Sequence, residues 1–135
     1  MTQRALILKL LQKNKKATFI GSLGTISKDL QELDNGQNCI LPVKGAMGCV
    51  MGLALGYALA LPKIKVFCVV GEGSFLMKLG SIATINKYKP KNLKVIILNN
   101  GKYASCGGQK NNSENSFSNV LSHLNPRSYS VYKVA

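Results

Sequence analysis

The sequence predicts an α/β fold in three layers, with a mainly parallel sheet and helices on both faces. Three observations carry this. Two unbroken apolar runs rich in β-branched residues, "IKVFCVV" (Ile64–Val70) and "LKVIILNN" (from Leu93), have the composition of strands buried on both faces. Between them, "FLMKLGSIATINKY" (Phe75–Tyr88) spaces its apolar residues for a helix, and prolines 62 and 90 punctuate the boundaries. The resulting order of strand, helix and strand with short connections is that of a βαβ unit, whose crossovers are right-handed. With 135 residues and 46% apolar content, the chain is expected to form a single domain over residues 1–135.

The remaining elements follow in order. Residues 4–13 carry Leu6, Leu8, Leu10 and Leu11 near helical spacing, which predicts an amphipathic helix rather than a signal peptide, because lysines interrupt it and no small-residue cleavage site follows. "ATFIG" (Ala17–Gly21) is a short strand. Ser27 is placed to cap a helix over Lys28–Leu33. "DNGQN" (Asp34–Asn38) is a turn, and "CILPV" a second short strand. "GAMGCVMGLALGYALALP" is expected to be a helix ending at Pro62. Its glycines at 45, 48, 52 and 56 fall on one side for close approach to a sheet or another backbone, and its apolar surround predicts burial. Leu76, Leu79, Ile82, Ala83 and Ile85 form the inward face of the next helix. Gln109–Asn119 is a polar stretch, and "LNPRSYSVYKVA" is a turn entering a last strand.

Charge and cysteines narrow the function classes. The net charge is +13, but 16 of the 18 basic residues are lysines, scattered, with no aromatic residues alternating among them as in a stacking surface. This disfavours nucleic acid and favours a polyanionic small ligand or an acidic partner chain. The longest apolar run, Met47 to Leu61, is shorter than the roughly 20 residues of a membrane span, so a cytoplasmic protein without membrane attachment is expected. Cys39, Cys49, Cys68 and Cys106 have no zinc or redox spacing and are expected to be buried free thiols, with Cys106 partly exposed in a glycine-rich loop. His123 is expected on the surface.

Glu72 is the only acidic residue between Asn35 and Ser113, and it stands between two glycines directly after an apolar run, in "VVGEGS". Ligands of such sheets bind at the carboxyl ends of the strands. If the strands ending near Val70 and Leu98 are neighbours, Glu72 and Asn99–Asn100 sit side by side. Gly71 and Gly73 let the backbone approach a ligand, and the helix from Phe75 points its amino end at the same place. A carboxylate next to a phosphate needs a cation between them. Oxygens of Glu72, an asparagine side chain and a backbone carbonyl, completed by diphosphate oxygens, match magnesium.

"GEGS…LNN" resembles the motif of thiamine-diphosphate enzymes, which begins GDG and ends NN after a gap of this size. "GSLGTISKDLQEL", "LPVKGAMGCVMGLALGYALALP", "GEGSFLMKLGSIATI" and "NNGKYASCGGQ" resemble the corresponding blocks of sulfopyruvate and phosphonopyruvate decarboxylases, in the family's order, from about Ala17 to Gln109. The resemblance implies a diphosphate-binding domain that binds thiamine diphosphate and Mg2+. Glu72 occupies the metal-binding acid position, Asn100 would give its side-chain oxygen, and Lys102 its backbone carbonyl. Gly71, Gly73 and Ser74 would line the diphosphate. In "GAMG", which includes Ala46, Gly45 would offer its carbonyl to the aminopyrimidine, and Met47 would wedge under the bent cofactor. Tyr103 and Gly107–Gln109 would lie on the loop by the diphosphate.

Three departures from the family qualify the implied function. Glutamate stands at position 72 where the family has aspartate. The glutamate that contacts the aminopyrimidine belongs to a pyrimidine-binding domain not present here, which implies completion by an α-type partner chain in a hetero-oligomer. The domain is also C-terminally short. The implied function is therefore a subunit of a decarboxylase for a small anionic 2-oxo acid. The alternatives are another thiamine-diphosphate enzyme half, acetolactate-synthase-like or transketolase-like, and a degenerate, non-catalytic partner subunit.

Overall fold

The computed structural model describes residues 1–111, 119–120, 124–125 and 127–135. His123 and most of the polar stretch 109–119 lie outside them.

Strands β1 (Thr18–Gly21), β2 (Cys39–Pro42), β3 (Val66–Gly71), β4 (Leu93–Asn99) and β5 (Tyr129–Lys133) form one sheet in the order β2-β1-β3-β4-β5, and every pair is parallel. Each strand falls where the sequence predicts one. Side chains alternate between two cores. Ile20, Cys68, Val70, Val95 and Ile97 face one side, and Phe19, Val69, Ile96 and Leu98 the other. Helices α3 (Val50–Ala60) and α5 (Ser81–Tyr88) cover the first face, while α1 (Gln3–Lys13) and α2 (Thr25–Leu33) cover part of the second. The predicted three-layer architecture is therefore present. α1 is tied to α2 by Arg4, whose guanidinium lies 2.6 Å from Asp29 and 2.8 Å from Glu32.

Several local expectations are corrected. α2 starts at Thr25, and Ser27 does not cap it. Its hydroxyl donates to the carbonyls of Gly21 and Ser22, fastening the helix to the end of β1. In α1, Ile7 enters the core and Leu8 is exposed, because the buried stripe is Leu6, Ile7 and Leu11. The helix expected from the glycine-rich block begins only at Val50. Gly45 and Gly48 precede it with φ of +71° and +82°, which a right-handed helix cannot accommodate. Gly52 and Gly56 are on the helix but face outward with no atom near them, next to Leu53 and Leu59 at 50% and 45% exposure, so α3 is not buried all round. The helix expected over Phe75–Tyr88 is two: α4 (Glu72–Met77) and α5, separated at Lys78–Gly80. That break turns Leu79 outward, and Ala83 is exposed as well. Of the cysteines only Cys68 is buried, where loss of hydration pushes its thiol pKa up; Cys39, Cys49 and Cys106 are exposed.

Candidate functional site

A cleft lies at the carboxyl ends of β3 and β4, where the topology of such sheets places ligands. β3 and β4 are paired neighbours, with Gly71 opposite Leu98, so the segments that follow them are adjacent as expected. Met47, Gly71, Glu72, Gly73, Ser74, Asn100, Lys102 and Tyr103 all line this one cleft. Gly45 and Ala46 do not line it. Both are exposed, and Gly45 borders a separate open groove against α2.

Glu72 sits in the first turn of α4 rather than on a loop, and only 2% of it is exposed. Its Oε1 accepts from the backbone amide of Lys102 at 3.2 Å and from Nδ2 of Asn111 at 2.8 Å. The same Lys102 amide donates to Oδ1 of Asn100 at 2.9 Å. One N–H thus gathers the carboxylate and the amide oxygen at a single point. The sequence points to the Lys102 carbonyl; the structure uses its amide to bring the two oxygens together. Asn99 Oδ1 accepts from Gly101 N instead, so the second asparagine of the pair is the one directed at Glu72. The segment from Gly101 folds back on itself, with Tyr103 N donating to Gln109 O and Asn111 N to Gly101 O, which delivers Asn111 to the carboxylate.

A buried carboxylate requires a compensating cation or dense hydrogen bonding. Among the described residues the salt bridges involve only Arg4 or Lys28, and none reaches Glu72. This donor set is all oxygen with one anion, which fits a hard divalent cation with few protein ligands. No cluster of three or more His, Cys, Asp or Glu occurs among the described residues.

The walls of the cleft are packed tightly. A Cβ on Gly73 would lie 2.9 Å from Cε1 of Tyr103 and 3.6 Å from Cε of Met47, so a side chain there would have to displace the Tyr103 ring. The buried Ser74 hydroxyl accepts from Gly48 N at 3.1 Å, locking the turn before α3 to α4. The cleft encloses about 80 Å³, well below the roughly 300–1,000 Å³ of a complete cofactor pocket. Gln3, Ser22, Thr25 and Ser105 also line it and were missed from sequence. Ser22 had a signal, because it directly follows β1 at the same edge of the sheet. Gln3 had none, since only folding brings α1 there, where its Nε2 donates to Asp29 at 2.7 Å and to Thr25.

Fold and site together define an α/β domain with a cleft at the carboxyl edge of a parallel sheet, around one buried acid. Residues 20–133 match the family model for the thiamine pyrophosphate enzyme, C-terminal TPP binding domain, and the chain belongs to that family. It is 40% identical over 96 residues to a phosphonopyruvate decarboxylase of Streptomyces viridochromogenes, an alignment covering 71% of this chain and 24% of that protein. It is 35% identical over 106 residues to the sulfopyruvate decarboxylase subunit beta of Methanocaldococcus jannaschii, covering 77% of this chain and 55% of that subunit. The chain therefore spans about a quarter and about half of these relatives. Among solved structures, a putative thiamin diphosphate-dependent enzyme from Mycobacterium smegmatis superposes with a TM-score of 0.69 at 19% identity, over 99% of this chain and 31% of that one.

Proposed function

We propose that this chain is the diphosphate- and Mg2+-binding part of a thiamine-diphosphate-dependent decarboxylase acting on a small anionic 2-oxo acid of the sulfopyruvate or phosphonopyruvate type, with its active site completed by an α-type partner. One observation carries the proposal: the buried Glu72 carboxylate, without a cationic side chain paired to it among the described residues, shares the Lys102 amide with Asn100 Oδ1. In this assignment Glu72, Asn100 and the Lys102 carbonyl hold the metal. Gly71, Gly73 and Ser74 flank the diphosphate, and Met47 and Tyr103 bracket it from either side of Gly73. Gly45 and Ala46 serve the pyrimidine end, outside the enclosed cleft. When bound, thiamine diphosphate supplies the electron sink for decarboxylation. The chain's own residues bind and orient the cofactor and keep water off the buried carboxylate.

Two features support a partner. The cleft is too small to enclose the whole cofactor, and it adjoins exposed apolar surface. Met77 is 57% exposed and lies by Gly48, which follows Met47 in sequence, and Leu53 and Leu59 of α3 are exposed as well. The partner would also bring the glutamate that the pyrimidine ring requires. A cytoplasmic location belongs to the same proposal; among the described residues no helix is long and apolar enough to cross a membrane.

The test is to titrate thiamine diphosphate with Mg2+ into the chain, alone and with a pyrimidine-binding partner, and then to analyse products from sulfopyruvate, phosphonopyruvate and pyruvate. Binding that needs Mg2+, with turnover only when the partner is present, supports the assignment. Binding without Mg2+, or none even with the partner, overturns it. Turnover of pyruvate alone would shift the substrate class toward acetolactate-synthase-like enzymes.

A further inference from the structure

The second face of the sheet is only partly covered. α2 lies over β1 and β2, and α1 sets Leu6, Ile7 and Leu11 against Val69, Ile96, Leu98 and Val134. The amino end of α1 meets the chain terminus, where Ala135 N donates to Met1 O, and its other end reaches the loop before β2, where Asn38 donates to Leu11 O. The helix thus crosses the sheet obliquely and leaves a groove beside it, over the starts of β3 and β4 and alongside Ser130 and Tyr132 of β5. Leu10, Phe67, Ile96 and Tyr132 form the floor. Lys13, Lys65, Lys91, Lys94 and Arg127 stand around it, and among the described residues no carboxylate lines it. The Lys94 ammonium donates to the Arg127 carbonyl at 3.1 Å, and burial lowers its pKa.

We propose that this groove receives a helix from a partner chain, apolar along one stripe and acidic on its flanks. Parallel sheets carry helices on both faces. No described helix covers this part, and Val120 and Leu124 pack on the opposite face. The charge complement is one-sided: five cations around an apolar floor disfavour a second copy of this chain, at +13, and match carboxylates. Lysines predominate over arginines, and the floor includes the half-buried aliphatic side chain of Leu10, which favours an acidic helix over nucleic acid. The groove starts at the opposite ends of the strands from Glu72, so this proposal stands apart from the cofactor assignment.

The test uses the full chain and a fluorescein-labelled helical peptide of about 15 residues, with leucines on one stripe and glutamates beside it. A sister peptide carries lysine at every glutamate position. Anisotropy is read at about 50 mM and about 500 mM NaCl. The glutamate peptide is expected to bind and to weaken about tenfold or more at high salt, and the lysine peptide not to bind. The variant Lys13→Glu/Lys65→Glu/Lys91→Glu/Arg127→Glu, which leaves Lys94 as the groove's one cation among four carboxylates, is expected to reverse that preference, a gain that unfolding cannot produce. Equal binding of both peptides, or an unchanged preference in the variant, overturns the proposal. So does an oligouridylate of equal charge that binds the wild-type chain more tightly than the glutamate peptide. Thiamine diphosphate and Mg2+ should leave all these values unchanged.

Discussion

Replacing Glu72 with glutamine separates the charge of this side chain from its shape. The carboxamide keeps an oxygen where Oε1 now accepts from Asn111 Nδ2 at 2.8 Å and Lys102 N at 3.2 Å, so both hydrogen bonds survive. What is lost is a negative charge on a residue only 2% exposed. Without metal that charge destabilises the fold, so Glu72→Gln should stabilise the metal-free chain by about 1–2 kcal/mol. For a domain of this size that is a rise of about 4–8 °C in Tm. With Mg2+ and thiamine diphosphate at about 100 times their Kd, the wild type should gain about 2.7 kcal/mol, or about 10 °C. The variant should gain almost nothing, because the amide oxygen holds a divalent cation much less strongly than the carboxylate. Thermal melts in EDTA, then with Mg2+ and cofactor, read both effects in one experiment. If the variant melts lower than the wild type in EDTA, or both proteins rise equally on adding Mg2+ and cofactor, the account of Glu72 as a metal-awaiting charge is refuted.

Three further outcomes are expected. Gly48→Ala forces a side chain onto φ +82° and places its Cβ 2.5 Å from Lys78 Cγ; it should cost about 1–2 kcal/mol in urea unfolding and weaken cofactor binding through the Ser74 contact. Asn92 Nδ2 reaches the carbonyls of Ala58, Leu61 and Ile64 at 2.8–3.1 Å, closing the carboxyl end of α3; Asn92→Ala should destabilise by about 1–3 kcal/mol in the same measurement. The Tyr129 hydroxyl is buried without a hydrogen-bond partner among the described residues, and burial together with Cys68 pushes its pKa up to about 12. Its neutral form is the one the fold favours, so the associated stability is complete below pH about 10 and is lost as pH rises through about 12. Tyr129→Phe should remove that alkaline loss and leave the protein as stable or up to about 1 kcal/mol more stable at pH 7, as alkaline unfolding followed by circular dichroism would show.

The sheet was legible because its strands are strong, short signals. Val66–Gly71 and Leu93–Asn99 are nearly continuous β-branched or aliphatic runs, and the single acid after the first of them marked the cleft. Helix limits were less legible where tertiary demands prevailed over local pattern. The left-handed turn at Gly48 and the break at Lys78–Gly80 satisfy contacts between the two segments, which no periodicity records. In α3 every position is apolar or small, so nothing in the sequence marks which side would face out. The convergence of Glu72 and Asn100 followed from adjacency of their strands, but the shared Lys102 amide and the arrival of Asn111 depend on how the chain folds back after Gly101. The basic groove was only half visible: the lysines were countable, but their gathering from α1, β3, β4 and the approach to β5 was not.

The strand order has a consequence for biosynthesis. β1 is an inner strand, and one of its two neighbours is β3, which ends at Gly71, 50 residues after Gly21. A ribosome adding about 5–20 residues per second needs about 3–10 s to make that interval. Throughout it the nascent chain displays Phe19 and Ile20 with at least one edge of their strand open. Slow codons in this interval would prolong that exposure and the opportunity for chaperone capture or misassociation, while slow codons after Asn99 would delay the segment that closes on Glu72 and the addition of an outer strand.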